Sequence, residues 1–159
     1  KQSAANPEPV NISILVGEIL KDVALALDSH HMAVKNSLPD NLIVSGDRSL
    51  IYSIFRNLTD NAIAYAGEGK EISIRMFRTD DEFYYFSFAD NGVGVADQHL
   101  SRIFERFYRV DKGRSRKLGG TGLGLAIVKN AVIMHGGTIS AKRNVGSGLE
   151  FIFTLKKNK

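Results

Sequence analysis

Residues 83–94 read FYYFSFADNGVG, and the interpretation of the whole chain depends on this stretch. Its aromatic first half predicts a strand over residues 83–89. Asp90-Asn91-Gly92 is also a good turn sequence, but no strand-like run follows Gly94, so the site is not a tight hairpin. A carboxylate at the end of an aromatic strand would be partly buried and would need a hydrogen-bond donor. An adenine amino group would supply that donor, whereas guanine presents an oxygen acceptor there.

Upstream of this stretch, the apolar periodicity predicts two helices and several short strands. Every fourth residue from Leu15 to Leu27 is apolar, which is typical of an amphipathic helix. A second helix is predicted from an N-cap at Asp47 to about Ala66. The upstream strands are predicted at residues 10–13, 32–34, 42–45 and 72–76.

Downstream, residues 90–120 form a long polar segment with many glycines, and a short helix is predicted around 97–105. Such a stretch inside a compact domain is usually functional or mobile. A third, nearly all-apolar helix is predicted from about Thr121 to Met134. Residues 138–143 and 149–155 then predict a closing hairpin. Three helices against a mixed sheet make a two-layer α/β sandwich.

The charge of the chain is concentrated in one place. The formal net charge is +4, yet residues 102–117 carry seven cations against two anions, a local +5 that leaves −1 for the remainder. Charge confined to one loop favours a local anionic ligand and argues against nucleic acid. The sequence contains no cysteine, so disulfides and thiolate sites are excluded, and cytosolic residence fits this composition.

Two polar elements are candidates for holding an anionic ligand with a metal. Asn57 and Asn61 lie one turn apart, at the edge of the buried stripe of the second helix, where amide oxygens could bind Mg²⁺. The alternative is a pair of solvated or helix-bonded amides. The run GGTGLGL at 119–125 opens the third helix without a P-loop lysine. Its glycines and unpaired N–H groups could bind phosphate oxygens.

The segment between the two glycine-rich elements could close over a ligand. Phe104 and Phe107 could form a hydrophobic peg that holds a lid closed, and Arg109, Arg114 and Arg116 could then reach a terminal phosphate. The alternative is a short core-packing helix followed by a solvated charged loop.

Taken in order, the motifs resemble the complete box set of the ATP-binding domains of bacterial sensor histidine kinases. They are N-L-x-x-N-A at 57–62, D-x-G-x-G at 90–94, F-x-x-F-Y-R at 104–109 and G-T-G-L-G-L at 120–125. These domains belong to the ATPase superfamily that includes gyrase, Hsp90 and MutL. The resemblance covers nearly the whole chain. It implies a Bergerat-type α+β fold: a mixed, mainly antiparallel five-stranded sheet, three helices on one face, and a mobile ATP lid at about residues 96–120.

The resemblance also implies roles for individual residues. Asn61 with Asn57 would bind Mg²⁺ and phosphate oxygens, and Asp90 would accept a hydrogen bond from the adenine of ATP. The resemblance implies further ATP contacts. Tyr65 would lie beside the nucleotide, Gly92 and Gly94 would give room for the base, and Tyr108 and Arg109 would flank the ribose and phosphates. The wall of the pocket at the phosphates would be formed by Gly120, Thr121, Gly122, Leu123, Gly124 and Leu125. Asn57, Asn61 and Arg109 would be the catalytic residues.

Three functional hypotheses follow. The first is a histidine kinase domain, because hydrolytic relatives place a glutamate four residues before the metal-binding asparagine, where this chain has Asn57. The second is a gyrase-like or Hsp90-like hydrolase. The third is a degenerate nucleotide-sensing module, suggested by Ala64, where the family usually has lysine or arginine. The last strand also departs from the family pattern, with Leu149 and Lys156 in place of Thr or Ser and proline.

The resemblance further implies how the domain is organised. Residues 1–9 would be a linker from a dimerisation and phosphoacceptor hairpin, 10–156 the catalytic domain, and 157–159 a tail. The phosphoryl group would pass to a histidine on that hairpin and then to a response-regulator aspartate. No histidine of this chain lies in a His-Asp or His-Glu sequence, so all four are predicted to be surface or packing residues. The fragment would be mainly monomeric and would be the cytoplasmic domain of a kinase anchored in the bacterial inner membrane.

Overall fold

The computed structural model describes residues 7–110 and 123–159, which form seven strands and five helices. The first half contains β1 (Glu8–Asn11), α1 (Ile12–Asp22), α2 (Ala24–Ser29), β2 (Ala33–Asn36), β3 (Ile43–Gly46) and α3 (Arg48–Tyr65). The second half contains β4 (Glu71–Thr79), β5 (Phe83–Asp90), α4 (Asp97–Leu100), α5 (Gly124–Met134), β6 (Ile139–Arg143) and β7 (Leu149–Lys156).

The main sheet has five strands in the order β2-β4-β5-β7-β6. Only β2 and β4 pair in parallel, and the other neighbours are antiparallel. The predicted mixed, mainly antiparallel five-stranded sheet is therefore confirmed. A separate two-stranded sheet pairs β1 with β3.

The core lies between the helices and one face of this sheet. Alternation along β7 places one set of side chains on that face, as predicted, and all four are buried: Leu149, Phe151, Phe153 and Leu155. Phe55 of α3 packs edge-on against Phe86 and Phe153 at ring-centroid distances of 5.8 and 5.4 Å. This aromatic contact fixes α3 against the centre of the sheet.

The helix starts follow from their caps. The Asp47 carboxylate accepts hydrogen bonds from the N–H groups of Ser49 and Leu50 at 3.0 and 3.2 Å, which confirms the predicted N-cap of α3. The Ser49 hydroxyl, which donates to the same carboxylate at 2.8 Å, and the Leu50 N–H hold the pKa of Asp47 below its ordinary value. Asn11 caps α1 in the same way, by accepting from the N–H of Ile14 at 3.1 Å.

Several predicted boundaries were wrong. The first predicted helix is interrupted at Val23, which has φ −105° and ψ 12° although neither glycine nor proline marks the break. The strand predicted at residues 10–13 lies instead at Glu8–Asn11, because β3 supplies its partner, and Ile12 and Ser13 belong to α1. The short helix predicted at 97–105 ends at Leu100. The division into a linker at 1–9, a catalytic domain at 10–156 and a tail at 157–159 stays a prediction, and the N–H groups of Lys157 and Asn158 bond to the carbonyls of Glu82 and Ile43.

No helix in the described ranges is both long enough and apolar enough to cross a lipid bilayer.

Candidate functional site

The loop after β5 starts with a buried carboxylate, as the sequence predicts. Asp90 is only 7% exposed, and its Oδ1 accepts a hydrogen bond from the Gly92 N–H at 2.8 Å. Burial raises the pKa of Asp90 above its ordinary value, while the N–H groups of Gly92 and Leu149 act in the opposite direction. The site therefore presents a desolvated hydrogen-bond acceptor in a fixed direction.

The glycines of this loop are required by close backbone approach. A Cβ on Gly92 would lie 2.2 Å from the carbonyl oxygen of Ala66, the residue that follows α3. The same carbonyl accepts the N–H of Val93 at 3.0 Å, so the loop is bonded to the end of α3. Gly94 has φ +67°, which favours glycine. That Gly92 and Gly94 also give room to a base stays a prediction.

The opposite wall of this loop comes from residues that the sequence reasoning missed. The turn between β6 and β7 places the Asn144 amide 2.8 Å from the carbonyl of Asp90 and the Ser147 hydroxyl 2.9 Å from the carbonyl of Asn91. Gly148 of the same turn lies against the Asp90 carbonyl oxygen. The available signal was the glycine-flanked serine at 146–148, which implies a turn but not the loop that it contacts.

Asn57 lies on the side of α3 that faces the start of α5. The Asn57 Nδ2 donates to the carbonyl of Ser53 at 2.8 Å, so the helix-bonded alternative is correct for the nitrogen. The Asn57 Oδ1 points towards the start of α5, where it lies 3.2 Å from the position of a Cβ built on Gly124. Asn61 and Tyr65 follow one and two turns later, and all three side chains are half-buried.

These contacts test whether the site could hold Mg²⁺. Asn57 directs an amide oxygen, a ligand that Mg²⁺ accepts, at the helix start where phosphate was predicted to bind. The described residues contain no group of three or more His, Cys, Asp or Glu side chains that could hold a metal alone. The donor set therefore fits an ion that is completed by waters and substrate phosphates.

The segment 104–109 differs from its prediction. Phe104 packs against Phe151 with ring centroids 5.9 Å apart, but Phe107 is 66% exposed and adopts φ +66°. The two-residue hydrophobic peg is therefore wrong for Phe107, because its left-handed backbone turns the side chain outward. The Tyr108 hydroxyl is hydrogen bonded to the Nδ1 of His99.

The other predicted contacts are placed only in part. Leu123, Gly124 and Leu125 are half-buried at the start of α5, and Arg109 is half-buried at the end of the preceding segment. The remaining predicted residues lie outside the described ranges: Arg114, Arg116, Gly120, Thr121 and Gly122.

The four histidines are surface or packing residues, as predicted. His31 is exposed and pairs with Glu68, and the ring of His30 bonds the carbonyl of Ala26. His135 is 6% exposed, with its Nδ1 2.7 Å from the carbonyl of Ala131 and its Nε2 accepting the Asp47 N–H at 3.0 Å. His135 thereby joins the end of α5 to the cap of α3.

Comparison with known proteins identifies the fold and the family of this site. Residues 46–159 match the model of the family described as "Histidine kinase-, DNA gyrase B-, and HSP90-like ATPase". The chain is 39% identical over 150 residues to the sensor-like histidine kinase SenX3 of Mycobacterium tuberculosis, covering 94% of this chain and 36% of SenX3.

Two solved structures extend the comparison to the fold. A mycobacterial sensor histidine kinase, MprB, aligns with a TM-score of 0.82 and 26% identity, over 96% of this chain and 98% of that one. Full-length ShkA, solved in complex with AMPPNP, aligns with a TM-score of 0.81 and 25% identity, over 100% of this chain and 33% of that one.

Proposed function

This chain belongs to the histidine kinase-, DNA gyrase B- and HSP90-like ATPase family, and from that premise we propose that it is the ATP-binding catalytic domain of a sensor histidine kinase. The domain would transfer the ATP γ-phosphate to a histidine on a dimerisation domain outside this chain, for relay to a response-regulator aspartate. Its parent would be anchored in the bacterial inner membrane with this domain in the cytoplasm. The chain spans about a third of SenX3, so further domains of the parent would supply the acceptor.

The observation that carries this proposal is the identity and contacts of Asn57. A hydrolytic relative would need a glutamate at this position to orient water, and Asn57 has no carboxylate. Asp60, the nearest acid on α3, is paired with the Arg56 Nε, which lies 3.2 Å from each carboxylate oxygen. Neither side chain is suited to act as a general base for water. A histidine acceptor needs no such base, because its imidazole is itself the nucleophile.

The remaining residues would position the substrate and neutralise its charge, which is the usual protein contribution to phosphoryl transfer. Asp90 would select adenine through its amino group. Asn57 and Asn61 would hold Mg²⁺ together with phosphate oxygens, and the ion would neutralise charge on the transferred phosphoryl group. Arg109, Arg114 and Arg116 would add positive charge at the phosphate end. Ala64 removes one cation found in relatives, so these arginines would carry more of that role.

Calorimetric titration tests the pocket directly. We expect the chain to bind ATP and ADP with Mg²⁺ in preference to GTP, and Asp90→Asn to lower ATP affinity at least tenfold, since a charged hydrogen bond is lost. The matched control is Asp81→Asn, which removes an exposed carboxylate at the far end of β5. Equal binding of ATP and GTP, or unchanged affinity in Asp90→Asn, would contradict the proposal and favour a degenerate module.

A second experiment separates kinase from hydrolase. With radiolabelled ATP, the chain alone should release little phosphate and should not label itself, whereas adding the acceptor hairpin of its parent kinase should give acid-labile phosphohistidine on the hairpin. Multiple-turnover phosphate release by the chain alone would favour the hydrolase. Stoichiometric self-labelling would overturn the assignment of its four histidines.

A further inference from the structure

The β5–β7 ladder ends one residue before the base-selecting carboxylate. Its register runs from Phe83 opposite Lys156 to Ala89 opposite Glu150, so the paired register does not extend to Asp90. Its carbonyl instead accepts the amide Nδ2 of Asn144 at 2.8 Å. A side chain of the β6–β7 turn thus bonds the main chain of β5 just beyond the last paired residues.

The turn that carries Asn144 is shaped to make this contact. The Asn144 N–H closes the turn by donating to the carbonyl of Gly148 at 3.0 Å. Gly148 has φ +99°, and a Cβ there would lie 2.0 Å from the Asp90 carbonyl oxygen. The Ser147 hydroxyl donates to the following carbonyl, that of Asn91, at 2.9 Å. Two side chains of one turn therefore bind two successive carbonyls of the loop.

The same turn also reaches the carboxylate of Asp90. The N–H of Leu149, the residue after Gly148, favours the ionised form of this carboxylate, as does the N–H of Gly92. With the main chain bonded by Asn144 and the carboxylate held by backbone donors, few rotations remain at Asp90. An acceptor that is fixed before binding discriminates between ligands better than one that must be ordered by them.

We propose that Asn144 is a positioning residue for base selection, which sets the direction of the Asp90 carboxylate by holding the Asp90 main chain. The inference rests on the proposed function, because it assigns to Asn144 the selectivity of that same pocket. Asn144 would act on the base through Asp90, whose carbonyl it bonds.

The test is Asn144→Leu, which keeps a similar shape but removes the donor. Titrations compare ATP with purine riboside triphosphate, which lacks the 6-amino group and so does not use the Asp90 acceptor. We expect ATP affinity to fall about tenfold, the usual effect of one lost hydrogen bond. Affinity for the purine analogue should fall much less, so the preference for ATP should shrink. Val145→Ala is the matched control, because Val145 is the next residue and is 92% exposed.

Two further variants sharpen the test, and the first of them keeps the proposal testable if Asn144→Leu folds poorly. Ser147→Ala removes only the bond to Asn91 and should reduce the ATP preference in the same direction, by roughly threefold. In the Asp90→Asn background, Asn144→Leu should leave the ratio of the two affinities unchanged. If Asn144 had only a structural role, its replacement would lower the melting temperature without changing the ratio of the two affinities.

The outcomes separate the two proposals. Wild-type selectivity for ATP that survives intact in folded Asn144→Leu would overturn the role of Asn144 and leave the proposed function standing. Failure of the wild-type chain to prefer ATP over the purine analogue would overturn adenine selection by Asp90, and the role of Asn144 with it.

Discussion

The loop 90–94 and the segment 104–109, which flank the described part of the site, are held in different ways. The loop is fixed by close backbone approach, with Ala66 against Gly92 on one side and Gly148 against Asp90 on the other, and the Asn144 and Ser147 side chains add hydrogen bonds to its carbonyls. The segment is fixed by side chains, with Phe104 on Phe151 and Tyr108 bonded to His99. Backbone contacts leave no space for an added methyl group, whereas side-chain contacts can be trimmed. The loop 90–94 should therefore be intolerant of substitution, whereas the segment 104–109 should tolerate it.

The largest expected effect on stability is at Gly148, which lies against the loop 90–94. Gly148→Ala should lower the free energy of unfolding by about 3 kcal/mol or prevent folding, because its Cβ would overlap the Asp90 carbonyl. Gly146→Ala is the control, since Gly146 has φ +88° but no atom within 4 Å of its Cβ position. It should lose only about 1 kcal/mol from the left-handed backbone. Urea denaturation measures both, and equal losses would show that backbone strain alone governs this turn.

An intermediate effect on stability is expected in the segment 104–109. Phe104→Ala should cost about 2 kcal/mol in urea denaturation, because a half-buried ring leaves its contact with Phe151. Phe107→Gly should be neutral or stabilising by up to about 1 kcal/mol, since it relieves a left-handed residue whose side chain is exposed. A loss in Phe107→Gly as large as that in Phe104→Ala would restore the two-residue peg that the structure contradicts.

The smallest effect concerns charge. Burial raises the pKa of Asp90, so its contribution favours the folded state below the unfolded pKa and is lost as the pH rises through the folded pKa. Asp90→Asn should thus be at least as stable as the wild type at neutral pH, and this advantage should shrink on acidification. Thermal unfolding across acid and neutral pH measures it, with Asp81→Asn for comparison. An Asp90→Asn variant that is less stable at neutral pH would show that the carboxylate's hydrogen bonds outweigh its desolvation.

The features that could be predicted from the sequence are those that local chemistry decides. Asp47 caps α3 because a carboxylate at that position bonds the first free N–H groups, and Asp90 is buried because an aromatic strand precedes it. The predicted helix boundary near Ala66 and the alternation of β7 follow from periodicity in the same way.

The features that the sequence did not reveal depend on contacts between distant segments. Asn144 looks like any turn asparagine until the end of β5 is placed beside it, 54 residues away in sequence. Phe107 belongs to an apolar pattern, yet its backbone conformation directs it away from the core. The break at Val23 carries no local signal, since the periodic burial of Val23 and Leu27 continues through it.

His135 shows what a packing role means for a histidine in a domain that we propose to act in phosphoryl transfer. A phosphoryl group attaches to an imidazole through a nitrogen lone pair, and the lone pair on the His135 Nε2 is occupied by the Asp47 N–H, while the Nδ1 faces the Ala131 carbonyl. The ring therefore has no nitrogen available to accept a phosphoryl group as long as the cap of α3 stays in place. Any label found on His135 would come from molecules whose α3–α5 junction had opened, and its amount would report that opening rather than catalysis.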